Sequence, residues 1–103
     1  MSKRLLFLEK LTADCSTDPF HWYALALEYK SGARLEDALR TFEELKKRAP
    51  QYVPQYLMAG GVLEALGRRD DAKSWYVEGI AAARKAGDGH ALSALEGALA
   101  AAG

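Results

Sequence analysis

The sequence contains few reactive side chains and has no net charge. It contains a single cysteine, Cys15, which cannot form an internal disulfide and suits a reducing compartment. Its 14 Lys and Arg residues equal its 14 Asp and Glu residues. The chain therefore lacks the net field that attracts nucleic acid or an anionic membrane, and we expect neither as a partner.

Long apolar runs are also missing. Lys3 and Arg4 precede a short apolar run, but Glu9 interrupts it before it reaches the roughly seven residues of a secretory signal. No stretch approaches the run of about 18 apolar residues that spans a bilayer. With 50% hydrophobic and 27% charged residues, the 103-residue chain has a globular composition. We expect one soluble, cytoplasmic domain.

Few residues could support catalysis or bind a metal. Cys15 and His21 are close in the sequence, and a Cys–His pair can form a nucleophile. We interpret this segment instead as a polar connection, in which Asp18 caps the next helix. Asp88 and His90 have no further His or Cys nearby to complete a metal site, so Asp88 is also interpreted as a cap. The sequence predicts no enzyme, no catalytic residue, no metal, no cofactor and no small-molecule substrate.

The most informative pattern is an internal repeat, in which Tyr56 lies 34 residues after Trp22. The same offset preserves residue size at four further pairs: Ala26 with Gly60, Tyr29 with Leu63, Ala38 with Ala72, and Phe42 with Tyr76. The small residues at these positions are predicted to let the two helices of each copy approach closely.

The first copy reads as two helices. Asp18 is a suitable N-cap, Pro19 suits the first helical position, and Gly32 is predicted to end the helix in the left-handed conformation. Pro50 ends the second helix. That helix carries apolar residues at spacings of three and four, namely Leu35, Ala38, Leu39, Phe42 and Leu45.

The second copy repeats this plan. One helix is predicted from Val53 to Leu66, with Gly67 as its stop, and the next begins at Asp70 and continues to Ala86. Acidic residues at its start favour the positive end of the helix dipole. No segment alternates like a strand, so the predicted class is all-α.

These positions resemble the tetratricopeptide repeat (TPR) family. The first copy is similar to the family motifs W-x2-L-G-x2-Y, A-x3-F and P at Trp22-x2-Leu25-Ala26-x2-Tyr29, Ala38-x3-Phe42 and Pro50. The second copy matches at Tyr56-x2-Ala59-Gly60-x2-Leu63 and Ala72-x3-Tyr76. The resemblance covers residues 19–86 and implies a right-handed α-α superhelix of helix hairpins, as in small stand-alone bacterial TPR proteins.

The two ends are predicted to form capping helices, because a repeat array needs its terminal apolar faces covered. Leu5, Leu8 and Leu11 predict a short first helix, and His90–Ala102 predicts a final one. The predicted single domain, 1–103, has an N-terminal capping helix at 1–16, TPR 1 at 19–52, TPR 2 at 53–86 and a C-terminal capping helix at 88–103.

The resemblance also implies where a partner binds, since the first helices of TPR arrays line a concave groove. The corresponding positions here are Phe20, Tyr23, Leu27, Pro54, Leu57 and Gly61, with Lys30, Met58 and Glu64 beside them. Tyr23 and Leu27 stand where TPR domains that grip a carboxylate carry Lys and Asn, so that charged clamp is not expected. We therefore predict an adaptor that binds an apolar peptide or partner segment.

Two other occupants of this apolar face stay open. A second copy of the chain could use it, because exposed apolar patches often form homo-oligomer interfaces. Alternatively, the C-terminal helix could fold back and cover part of it.

Overall fold

A computed structural model describes residues 2–103, which form six α-helices and contain no strand. The helices are α1 (Lys3–Ala13), α2 (Pro19–Ser31), α3 (Leu35–Arg48), α4 (Pro54–Ala65), α5 (Arg69–Ala86) and α6 (Gly89–Ala102). One compact unit runs up to Ala49 and holds α1–α3, and a second runs from Pro50 to Gly103 and holds α4–α6. The predicted all-α class is confirmed.

In the first unit, α2 packs against both α1 and α3. Leu5 and Leu8 of α1 form a buried cluster with Ala24 and Leu25 of α2. The small residues at the repeated positions Ala26, Ala38 and Ala72 are fully buried. Helix α1 therefore covers an apolar face of α2.

In the second unit, α5 packs against both α4 and α6, and two glycines allow the close approach. A Cβ added at Gly60 would lie 2.8 Å from Cδ1 of Tyr76 and closer still to Cε1 and Cζ of the same ring. This confirms the close approach of the two helices that was predicted at Gly60. A Cβ at Gly79 would lie 2.5 Å from Cβ of Tyr56 and 3.0 Å from Cδ2 of Leu95. This second contact was not predicted from the sequence.

Three helices end in the same backbone motif. After the last residue of α1, α2 and α4 comes one cap residue, followed by a residue with positive φ: Cys15 (60°), Ala33 (60°) or Gly67 (76°). The next N–H then donates to a carbonyl five residues earlier, as in a Schellman motif. These bonds run from Ser16 to Leu11 (3.3 Å), from Arg34 to Tyr29 (2.8 Å) and from Arg68 to Leu63 (2.8 Å).

The prediction that Gly32 adopts the left-handed conformation is wrong. Gly32 has φ −86° and serves as the C-cap, where its N–H donates to the carbonyl of Glu28. The chain reversal falls on Ala33, which is the counterpart of Gly67 at the 34-residue offset. An alanine therefore occupies a conformation that favours glycine.

Helix starts follow the predicted capping. The side chain of Asp18 accepts from the N–H of Phe20 (2.9 Å), and that of Asp88 accepts from the N–H of Ala91 (3.0 Å). At the start of α3, Nε of Arg34 lies 2.8 Å from Oδ2 of Asp37. The equivalent arginine and aspartate at the start of α5, Arg68 and Asp71, form the same pair at 2.9 Å.

Candidate partner-binding surfaces

The aromatic residue that opens each repeat anchors the preceding connection. Nε1 of Trp22 donates to the carbonyl of Ser16 (2.9 Å), and the hydroxyl of Tyr56 donates to the carbonyl of Pro50 (2.5 Å). Both bonds reach six residues back, so they repeat at the same offset as the residues themselves. An aromatic ring with a polar end suits a position that is apolar on one side and hydrogen-bonded on the other. We conclude that these two positions serve the fold.

The predicted binding residues of the first unit lie along one side of α2. Phe20 is 54% exposed, and Lys30 is exposed at the other end of the helix. Between them, Leu27 is half-buried, and Tyr23 is half-buried with its ring edge-on to Phe42, at 6.4 Å between centroids. Burial raises the pKa of the Tyr23 hydroxyl. This α2 face is thus an apolar strip that ends in one cation.

The predicted residues of the second unit lie on α4. Leu57 and Met58 are half-buried, and a Cβ added at Gly61 would have nothing within 4 Å. Glu64 is exposed, but its carboxylate accepts a hydrogen bond from the hydroxyl of Tyr76 on α5. Burial, together with this bond, raises the pKa of Tyr76. The α4 face is therefore open at Gly61 and bounded by a carboxylate that α5 already holds.

The C-terminal helix leaves the α4 face partly accessible. Helix α6 packs mainly against α5 and less extensively against α4. Its fully buried Leu95 lies next to Gly79 of α5. Leu57 and Met58 keep partial exposure with α6 in place.

The polar segment before α2 is organised as a connection and a cap. Oγ of Ser16 lies 2.7 Å from Nδ1 of His21 and accepts from the N–H of Asp18. The other ring nitrogen of His21 lies 3.8 Å from Oδ2 of Asp18. Both ring nitrogens therefore face Ser16 and Asp18, while the exposed thiol of Cys15 lies 4.0 Å from the carbonyl of Ala13.

The described part of the chain offers neither a metal-binding cluster nor a membrane-spanning helix. Residues 2–103 contain no group of three or more His, Cys, Asp or Glu side chains arranged to hold a metal ion. Over the same range, no helix combines the length and the apolar character needed to cross a membrane.

A shallow cleft of about 310 Å³ lies between α1 and α2, where sequence reasoning predicted no site. It is lined by Glu9, Thr12, Ala13, Trp22, Leu25 and Tyr29. The hydroxyl of Tyr29 donates to Oε2 of Glu9 at 2.5 Å. Burial, followed by this hydrogen bond, raises the pKa of Tyr29 to about 12. In the sequence, Glu9 was informative only as the residue that interrupts an apolar run.

Comparison with known proteins identifies the family. No family model and no curated protein sequence matches the chain. Among solved structures, the chain is similar to the crystal structure of a tetratricopeptide repeat domain protein from Salinibacter ruber, with 42% identity and a TM-score of 0.79. That match covers 82% of this chain and 96% of the other. A solution structure of the tetratricopeptide repeat domain protein from the same organism matches with the same identity, TM-score and share of this chain, and with 86% of its own chain covered.

A third structure agrees in fold. The solution structure of a protein from Bordetella parapertussis is 22% identical, with a TM-score of 0.82, and the match covers 99% of this chain and 89% of the other. The helix hairpins, the repeated small-residue contacts and these matches define an all-α helical-repeat protein. The chain belongs to the tetratricopeptide repeat family, as the resemblance in its sequence implied.

Proposed function

We propose that this chain is a non-catalytic interaction module that binds segments of a partner protein at two apolar surfaces, the α2 face and the α4 face. Membership of the tetratricopeptide repeat family supports a role in protein interaction in general. The proposed location is the cytoplasm, because the single exposed thiol of Cys15 suits a reducing compartment.

The observation that carries the proposal is the exposure of Phe20. A phenylalanine that is 54% exposed contributes little to the core of its own unit. Tyr23 and Leu27 follow it at helical spacing, so the three side chains form a continuous apolar strip. Such a strip favours a partner that offers apolar side chains, as in the binding of peptides to hydrophobic grooves.

The test uses peptides selected for binding. A random-peptide library is panned on the immobilised protein, and the affinity of enriched peptides is then measured by calorimetry. We expect sequences rich in apolar residues, and we expect Phe20→Glu to weaken their binding by about tenfold or more. Val77→Glu is the matched control, because Val77 on α5 has the same 54% exposure as Phe20. The proposal fails if both Phe20→Glu and Leu57→Glu bind the peptides as the wild type does, with unchanged helicity.

The alternative occupant is a second copy of the chain, seated on the same apolar strip. The exposed ring of Phe20 would be buried in such a dimer as it would be against another protein. Light scattering at several concentrations separates the two. A mass that stays at one chain over the whole range excludes self-association. A dimer that Phe20→Glu dissociates would establish it.

A further inference from the structure

Glu9 is a carboxylate whose surroundings do not neutralise its charge. It lies half-buried on α1, and its contact is the hydroxyl of Tyr29, a neutral donor. Within residues 2–103, no Lys, Arg or His side chain is ion-paired with it. The comparable carboxylate on the neighbouring helix, Glu28, is paired with Arg4 at 3.0 Å. Glu9 therefore keeps its capacity to accept hydrogen bonds from a cation.

The cleft around Glu9 is otherwise aromatic and apolar. Trp22 and Tyr29 line it, and Glu9 is the one charged side chain among its lining residues. The hydroxyl of Thr12 donates to the carbonyls of Leu8 (3.0 Å) and Glu9 (3.1 Å) within its own helix. Because Glu9 is half-buried, its carboxylate is partly shielded from water, and this strengthens its attraction to a bound cation.

The two aromatic rings already bind guanidinium groups within this chain. Cζ of Arg48 lies 4.3 Å from the ring centroid of Trp22, and Cζ of Arg34 lies 4.6 Å from that of Tyr29. Each arginine borders a different cleft from the one that holds Glu9. Neither arginine therefore lines the Glu9 cleft itself.

We propose that the α1–α2 cleft binds an arginine side chain of a partner polypeptide, with the guanidinium paired to Glu9 and flanked by Trp22 and Tyr29. Arginine fits better than lysine, because its planar fork matches a carboxylate and stacks on aromatic rings. The cleft lies on the opposite side of α2 from Phe20. This site is therefore separate from the binding proposed for the α2 face.

The test is an NMR titration of the isotope-labelled protein with two short Gly/Ser peptides, one with a central arginine and one with citrulline, its neutral analogue. The indole N–H of Trp22 reports on the cleft, and that of Trp75, which belongs to the second unit, is the internal reference. We expect the arginine peptide to shift the Trp22 signal in a saturable way, with Trp75 unchanged. Added salt should weaken the effect, because the site is open to solvent. Equal shifts with the citrulline peptide would overturn the proposal.

Two variants identify the residue responsible. Glu9→Gln keeps an acceptor for Tyr29 but removes the charge, and we expect it to weaken arginine-peptide binding by about three- to tenfold at low salt. Glu43→Gln is the matched control, since Glu43 lies 34 residues further on and is exposed on α3. Unchanged affinity in Glu9→Gln would refute the assignment.

A third variant separates this site from the proposed function. Phe20→Glu should leave arginine-peptide binding intact even where it abolishes binding of the selected apolar peptides. If Phe20→Glu removes both, the arginine peptide is bound on the α2 face and the cleft is not the site.

Discussion

Replacing each of two adjacent glycines of α4 with alanine should change the stability of the fold in opposite directions. A Cβ at Gly60 would overlap the ring of Tyr76, whereas a Cβ at Gly61 would meet nothing within 4 Å. Both positions lie inside the helix, so both substitutions remove the same conformational cost of a helical glycine, about 1 kcal/mol. The difference between the two variants therefore measures the packing contact alone.

The size of the effect follows from how far the Tyr76 ring must move. The ring is almost fully buried, and its hydroxyl is bonded to Glu64, so it has little room to withdraw. Forcing a methyl group into such a confined contact should cost about 2–3 kcal/mol, the upper part of the usual range for overpacking. After the gain in helix propensity, Gly60→Ala should be about 1–2 kcal/mol less stable than the wild type. Gly61→Ala should be about 0.5–1 kcal/mol more stable.

Urea unfolding followed by circular dichroism measures both changes, and thermal melting checks them. For a domain of this size, 1 kcal/mol corresponds to about 4–8 °C, so Gly60→Ala should melt about 4–16 °C lower. Combining Gly60→Ala with Tyr76→Leu should cost less than the sum of the single changes, because the smaller side chain leaves room for the methyl group. Equal stability of Gly60→Ala and Gly61→Ala would refute the reasoning.

Three further predictions concern single positions. Ala33→Gly should stabilise the protein by about 1 kcal/mol and Gly67→Ala should destabilise it similarly, as judged by urea midpoints, since both residues have positive φ. Asp18→Ala should cost about 1 kcal/mol in thermal melting, because the N–H of Phe20 loses its acceptor. The folded-state pKa of Tyr29, about 12, exceeds its ordinary value of 10.0. Its contribution to stability is therefore complete below pH 10 and lost between about pH 10 and 12, so Tyr29→Phe should reduce the alkaline fall of the urea midpoint.

Each of these has an outcome that contradicts it. A loss of stability in Ala33→Gly would mean that the reversal after α2 does not fall on that residue. An unchanged melting temperature in Asp18→Ala would show that water caps α2 as well as the carboxylate does. A Tyr29→Phe variant with the same pH dependence as the wild type would show that the phenol does not titrate with folding in that range.

Most of the fold could be predicted because its determinants are local in the sequence. The caps at Asp18 and Asp88 and the apolar spacing of three and four depend on residues within one or two helical turns. The 34-residue offset can be read directly from the sequence. The close approach at Gly60 could also be predicted, because both copies have a small residue at this position, Ala26 and Gly60. Signals of this kind can be read from the sequence without knowledge of the tertiary structure.

The remaining features depend on contacts between helices. Gly79 is one small residue in a long helix, and its constraint comes from Tyr56 and Leu95 on two other helices. Glu9 differs from other surface glutamates only because Tyr29 lies opposite it across the α1–α2 contact. The sequence favours Gly32 over Ala33 for the chain reversal, because glycine adopts positive φ without a steric penalty. Only the comparison of Ala33 with Gly67 at the repeat offset could have corrected it.

The way the helices are connected has a kinetic consequence. The most extensive packing joins helices that follow one another, α1 with α2, α2 with α3, α4 with α5 and α5 with α6. These pairs are separated by the short connections 14–18, 32–34, 66–68 and 87–88. Little chain entropy is lost in closing such short loops, and proteins dominated by contacts of this kind fold in microseconds to milliseconds. We therefore expect each hairpin to form within that time, before slower processes such as aggregation can compete.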